Sequence, residues 1–152
     1  MRVEIDDLSG DDVRALLAGH LAEMRATTPA CSVHALDLDG LSAPHVTVWA
    51  ARDGVELLGA GALSELDATH GELKSMRTAA HARGRGVAAA VLGTIMAAAR
   101  ARGYRRLSLE TGSYEFFAPA RRLYARHGFV ECGPFAGYRD DPNSVFMTLA
   151  LD

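Results

Sequence analysis

The sequence has little of what marks the specialised classes of protein. Only two of its 152 residues are cysteines, Cys31 and Cys132, far apart and in no metal-ligand spacing. A disulfide framework is not expected, and the pair reads as reduced thiols in a cytoplasmic protein. Six histidines follow no HExxH-type pattern, so no metal site is expected. No apolar run approaches the roughly 18 residues that cross a bilayer. The beginning, Met1-Arg2-Val3-Glu4-Ile5, lacks the apolar segment of a signal peptide. No linker, repeat or low-complexity stretch divides the chain, and its length suits one domain over residues 1–152. Aromatic residues are scarce at 7%, but 49% of residues are hydrophobic, enough for a substantial core.

The most informative absence is of acidic residues. Between Lys74 and Arg106 there is no Asp or Glu, while eight of the sixteen Lys and Arg residues lie there. The net charge is −3, so an acidic chain has gathered its cations in one stretch. That field suits a multiply phosphorylated small molecule. Nucleic acid, which favours a basic protein with a longer basic stripe, is not expected as a partner.

Within the stretch lies Arg83-Gly84-Arg85-Gly86-Val87-Ala88. A strand-like segment, 71–78, precedes it and a helix-like one, 88–96, follows. A glycine turn that opens a helix leaves backbone N–H groups free at the positive end of the helix dipole. Glycines let a phosphate approach that backbone.

The remaining pattern is read by periodicity. Val3 and Ile5 alternate as a short strand. Ser9 caps a helix to about Arg25, with Val13, Leu16, Leu17, His20, Leu21 and Met24 on one stripe. Residues 30–45 read as an irregular loop holding Ser32, His34 and Asp37. Strands follow at 46–51, 55–66 and 72–78, the first two joined by Asp53-Gly54. Gly59 and Gly61 admit a bulge in the second. After a helix at 86–101 come a strand at 105–110 and a helix at 115–127, with Phe116, Ala120, Leu123 and Tyr124 turned inward. Strands at 129–132 and 145–149 end the chain. The order β-α-β-β-β-α-β-α-β-β predicts an α/β (α+β) fold. Its central sheet is mixed, mostly antiparallel and of about seven strands, with helices on both faces. The change from antiparallel to parallel pairing falls beside the glycine turn, where sheets bind ligands.

Two motifs give this order a family likeness. Arg83-x-x-Gly86-x-Ala88 resembles the pyrophosphate motif of the GNAT acyl-CoA N-acyltransferases. Ala120-x-x-Leu123-Tyr124-x-x-x-Gly128-Phe129 resembles their later helix-and-strand motif. The resemblance covers essentially the whole chain. It departs at Phe117, where many members carry Asn. It implies acetyl-CoA as cosubstrate, held by backbone amides of Arg85, Gly86, Val87, Ala88 and Ala89, with Arg83 and Gly84 shaping the approach. Met76 and Thr78 would pair with the pantetheine arm, and the Met76 amide would also donate to the thioester oxygen. Tyr124 would be the general acid and Glu72 the general base. The acceptor would be a primary amine of a small molecule or peptide, and a homodimer fits the family.

Alternatives stand beside these assignments. Glu65, Asp67, His70 and Glu110 compete with Glu72 as base. Arg77 has either a phosphate or a nearby carboxylate to meet. Tyr138 and Arg139 line an acceptor mouth or form an exposed turn. Gly84-x-Gly86-x-x-Ala89 also fits the dinucleotide fingerprint, with Glu110 as the ribose-binding acid. A domain that binds acyl-CoA without catalysis shares the same motifs.

Overall fold

Alternating side chains divide the sheet into two packed faces. In the computed structural model, which describes residues 1–152, strand β1 is Arg2–Asp6, β2 is Val46–Asp53 and β3 is Glu56–Asp67. Along β2, Trp49 and Ala51 enter one core cluster while Val48 and Ala50 enter the other. Strand β3 divides likewise: Leu58 and Leu63 on one side, Leu57, Ala60 and Ala62 on the other. A strand covered on both faces needs a nearly unbroken apolar run, which is what residues 57–63 supply.

The remaining strands are β4 (His70–Thr78), β5 (Arg106–Gly112), β6 (Val130–Cys132) and β7 (Ser144–Ala150). The seven lie in the order β1-β2-β3-β4-β5-β7-β6. Every neighbouring pair is antiparallel except β4–β5. The mixed, mostly antiparallel sheet expected from the order of elements is therefore present. The dinucleotide alternative, which needs a parallel sheet, is not supported by one parallel pair.

Helix α1 (Asp11–Thr27) and the single-turn α2 (Leu38–Leu41) cover one face through Val13, Leu17 and Leu41. Helix α3 (Val87–Ala101) covers the other through Val87, Val91, Leu92, Ile95 and Ala99. Tyr124 of α4 (Ala118–Arg126) joins that second cluster with Phe129. No helix is long and apolar enough to cross a membrane.

Local departures from the sequence reading have clear causes. Ser9 does not cap α1: its hydroxyl donates to Asp7 at 2.6 Å, and Gly10 takes the cap position without a side-chain bond. The 30–45 segment is more ordered than expected. It holds a 3₁₀ turn, Ala30–Ser32, and α2, which Asp37 caps by accepting from the Gly40 N–H at 2.8 Å. The helix expected from Glu115 begins at Ala118, after a 3₁₀ turn, Glu115–Phe117. Pro119 has no N–H to give the Glu115 carbonyl, and Ala118 donates to it in 3₁₀ fashion instead. This rotates Phe116 outward, 49% exposed, and buries Phe117.

Gly59 and Gly61 serve close packing. A Cβ at Gly61 would lie 2.5 Å from Met76 Sδ and 2.8 Å from Val91 Cγ1, and one at Gly59 2.7 Å from Val87 Cγ1. The bulge itself is on the partner strand, where Ala60 pairs Arg77 but Ala62 pairs Lys74. Gly61→Ala should lower stability by about 1–3 kcal/mol, the usual cost of overpacking, read as a lower denaturant midpoint. An unchanged midpoint would contradict this seating of α3 on β3.

Candidate active site

Strands β4 and β5 pair only from His70↔Arg106 to Leu73↔Leu109. Beyond that, β4 follows β3 to Thr78, and β5 follows β7 to Gly112. The two strands separate and leave a cleft of about 360 Å³. At the separation β4 bulges: Ser75 takes φ 54°, a left-handed conformation uncommon outside glycine. Met76 turns toward Gly61, on the α3 face. Glu72, Lys74 and Arg77 lie opposite Ser64, Ala62 and Ala60, so they share the α1 face.

The glycine turn follows Arg83, which lines the cleft. Gly84 and Gly86 have φ values of 77° and 78°, and nothing lies within 4 Å of a Cβ built on either. The turn thus presents bare backbone. The first bond into α3 runs from the Ala90 N–H to Gly86 O at 3.1 Å. The N–H groups of Val87, Ala88 and Ala89 are consequently left without helical acceptors. Arg85, Gly84 and Gly86 are exposed.

Of the residues singled out in the sequence, Glu72, Met76, Arg77, Thr78, Arg83, Glu110, Tyr124 and Tyr138 line the cleft. Tyr124 is 6% exposed and packs on Phe129 with ring centroids 5.9 Å apart. Burial, with a smaller contribution from the Glu110 charge, raises its pKa well above the usual phenol range. Its hydroxyl is therefore protonated at neutral pH. Arg77 meets a carboxylate, Glu23 of α1.

Glu72 is 5% exposed, and one oxygen, Oε2, accepts from both Lys74 Nζ at 3.1 Å and the Tyr138 hydroxyl at 2.5 Å. Burial and then the Glu72 charge raise the Tyr138 pKa. Tyr138 belongs to the cleft wall, where its ring meets His34 edge-on at 4.9 Å. Glu110 is pushed up to about 6, chiefly by burial.

The other candidate bases are engaged elsewhere. Glu65 accepts from Tyr104 at 2.6 Å, Asp67 holds Thr69 in a turn, and His70 Nε2 bonds Ser108 at 2.7 Å. None of the three lines the cleft. His20, in contrast, does; burial and the nearby Arg77 charge lower its pKa to about 4.

The site therefore combines an unpaired strand edge, free helix-terminal amides, a protonated phenol and two carboxylates. Comparison with known proteins decides the family. The model of the acetyltransferase (GNAT) family matches residues 14–129. The chain belongs to the GNAT acetyltransferase family. This GNAT chain is 54% identical over 151 residues to the uncharacterized N-acetyltransferase YsnE of Bacillus subtilis, covering 99% of the chain and 100% of that protein. Its fold matches a Klebsiella pneumoniae protein assigned as an acyl-CoA N-acyltransferase with a TM-score of 0.81 at 28% identity, covering 99% and 97% of the two chains. An aminoglycoside 6′-N-acetyltransferase solved with coenzyme A shares the fold with a TM-score of 0.73 at 14% identity, covering 100% and 98%.

Two features of this GNAT site were missed in the sequence. Lys74, the only lysine in the chain, appeared there only as one cation among eight, yet it is the partner of Glu72. Phe117 fills the space over Gly112, where a Cβ would sit 2.1 Å from its ring. A bulky residue in place of Asn therefore goes with a glycine five positions earlier, a pairing visible only once the fold brings them together.

Proposed function

We propose that this acetyltransferase moves the acetyl group of acetyl-CoA to a primary amine of a small molecule or peptide by direct attack. The separation of β4 from β5 beside the uncapped start of α3 carries the reading. A pantetheine arm laid between the strands would meet the backbone of Met76 and Thr78 as a further strand does. The pyrophosphate would meet the amides of residues 85–89, where free N–H groups and the helix dipole favour an anion. Arg83 and Gly84 shape the approach.

The chemistry then follows from the groups at hand. The amine nitrogen attacks the thioester carbon, and the developing oxyanion takes a hydrogen bond from the Met76 N–H. When the C–S bond breaks, Tyr124 protonates the thiolate. Family membership, and a fold neighbour solved with coenzyme A, support this cosubstrate.

The test is a thiol-release assay with acetyl-CoA over amino acids, dipeptides, polyamines and aminoglycosides. At least one primary amine should accelerate thiol release well above hydrolysis. Tight acetyl-CoA binding with no acceleration by any amine would favour the non-catalytic reading. Dephospho-CoA should bind more weakly than CoA, because Arg83 and Arg85 would lose the 3′-phosphate; equal affinities would remove that role.

A further inference from the structure

Resting on the reading just given, the identity of the proton acceptor can be argued from the two carboxylates of the cleft. Glu72 lies opposite Ser108 in the parallel pair. Side chains alternate along a strand, so Glu110, two residues beyond Ser108, shares its face and that of Glu72. Glu110 comes directly after Leu109, the last residue of β5 that pairs β4. It therefore stands at the mouth of the split, where a thioester between the strands would end.

The two carboxylates differ in what already occupies them. Glu72 Oε2 is held by an ammonium and a phenol, and the side chain is almost fully buried. Accepting a further proton there would disrupt a buried ion pair, which is costly. Glu110 forms no ion pair; the hydroxyl of Ser144 on β7 lies beside it and acts to lower its pKa, against the larger effect of burial. The charged and titratable groups that face it are Lys74 and Glu72 from β4, Tyr138 and Asp141 from the loop before β7, and Tyr124 from α4.

We propose that Glu110 takes the proton that the acceptor nitrogen loses, and that Glu72 is a positioning residue that holds Lys74 and Tyr138 on the acceptor side. The nitrogen lone pair forms the C–N bond, and the nitrogen's proton passes to the Glu110 carboxylate. The C–S bond breaks, and the Tyr124 proton goes to the sulfur. The proton on Glu110 then returns to the Tyr124 phenolate through solvent in the cleft, restoring both groups. The products are the amide and CoA thiol. A carboxyl group pushed up to about 6 is well matched to this task near neutral pH.

The experiment measures kcat/KM for thiol release from acetyl-CoA with ethylamine as probe acceptor, across pH, beside the acetyl-CoA dissociation constant. In the wild type the active form carries ionised Glu110, so activity falls as pH drops through about 6. Below that pH the slope steepens from one, set by the amine, to two. Glu110→Gln should bind acetyl-CoA within a few-fold of wild type, lose about 10²–10³ in kcat/KM, and lose the extra slope. Glu110→Asp should keep the extra slope at a reduced rate. Glu72→Gln should keep it too, displaced to lower pH, because the variant removes a negative charge near Glu110 and frees the positive charge of Lys74.

Retention of the extra slope in Glu110→Gln, or its loss in Glu72→Gln, would overturn the assignment. Loss of acetyl-CoA binding in Glu110→Gln would overturn it as well, making Glu110 a cofactor contact. If the wild type binds acetyl-CoA but no amine, ethylamine included, releases thiol, the transferase reading falls and this assignment with it.

Discussion

Gly86→Asp should abolish acetyl-CoA binding while the protein stays folded. Gly86 is the residue before α3, with φ 78°, and a Cβ there would meet nothing within 4 Å. The variant therefore creates no clash in the protein alone. It does place a non-glycine residue in the left-handed region, a strain of roughly 1–2 kcal/mol. Aspartate tolerates that region better than most residues, so folding should survive. The carboxylate, however, would stand among the unpaired amides of Val87, Ala88 and Ala89. It would satisfy them itself and repel a pyrophosphate. A loss of at least about 100-fold in affinity is expected, about 2.8 kcal/mol at about 1.4 kcal/mol per tenfold. Titration calorimetry reads the affinity, and a denaturant melt checks the fold. Unchanged affinity in the folded variant would remove the glycine turn from the cofactor site.

Tyr124→Phe should have the largest effect on turnover. It keeps the ring in its contact with Phe129 and removes only the hydroxyl. That hydroxyl is protonated at neutral pH as an ordinary phenol is, and burial with the Glu110 charge holds the proton more tightly still. Losing a general acid typically costs 10²–10⁴-fold, so kcat should fall by about that factor. The acetyl-CoA dissociation constant should stay within a few-fold, since in the proposed role the phenol would act on the sulfur only as the bond breaks. Stability should change by no more than about 1 kcal/mol, the scale of one hydrogen bond. A variant with wild-type kcat and a much lower melting point would make Tyr124 a packing residue.

Much of this site was legible before the fold was known, for physical reasons that differ by residue. Gly84 and Gly86 announced themselves because a helix start that must stay bare of side chains leaves a local signature. Tyr124 was legible as a site residue only through the resemblance of Ala120-x-x-Leu123-Tyr124-x-x-x-Gly128-Phe129 to the family motif; its helical spacing by itself marked it as an inward-facing residue. The mixed, mostly antiparallel character of the sheet was readable because β2, β3 and β4 follow one another by short turns before the helix crosses to β5; the place of β7 between β5 and β6 was not.

The contacts that escaped are those made across the sheet. Nothing local in Tyr138 says that it meets Lys74 and Glu72, because 64 and 66 residues separate it from them; the Lys74–Glu72 pair, two residues apart on one strand face, is the local contact that was missed. The split between β4 and β5 likewise depends on which neighbour each strand follows after Leu73 and Leu109. Glu110 could be named as one acid among several, but only the split sets it apart from Glu65, Asp67 and His70. Phe116, expected to point inward, is half exposed because the chain enters α4 through a 3₁₀ turn ahead of Pro119, and Phe117 is the buried residue instead.

In the proposed mechanism the β4–β5 split and the start of α3 together form the acetyl-CoA site. At 16.2 kDa the protein suits amide-resolved NMR, and a ¹H–¹⁵N titration with acetyl-CoA reads both elements at once. Saturable shifts are expected at Met76, Thr78 and the amides of 85–89, with little change along β1 and β6. Binding that leaves those amides unmoved and perturbs the sheet edges instead would contradict this placement of the site.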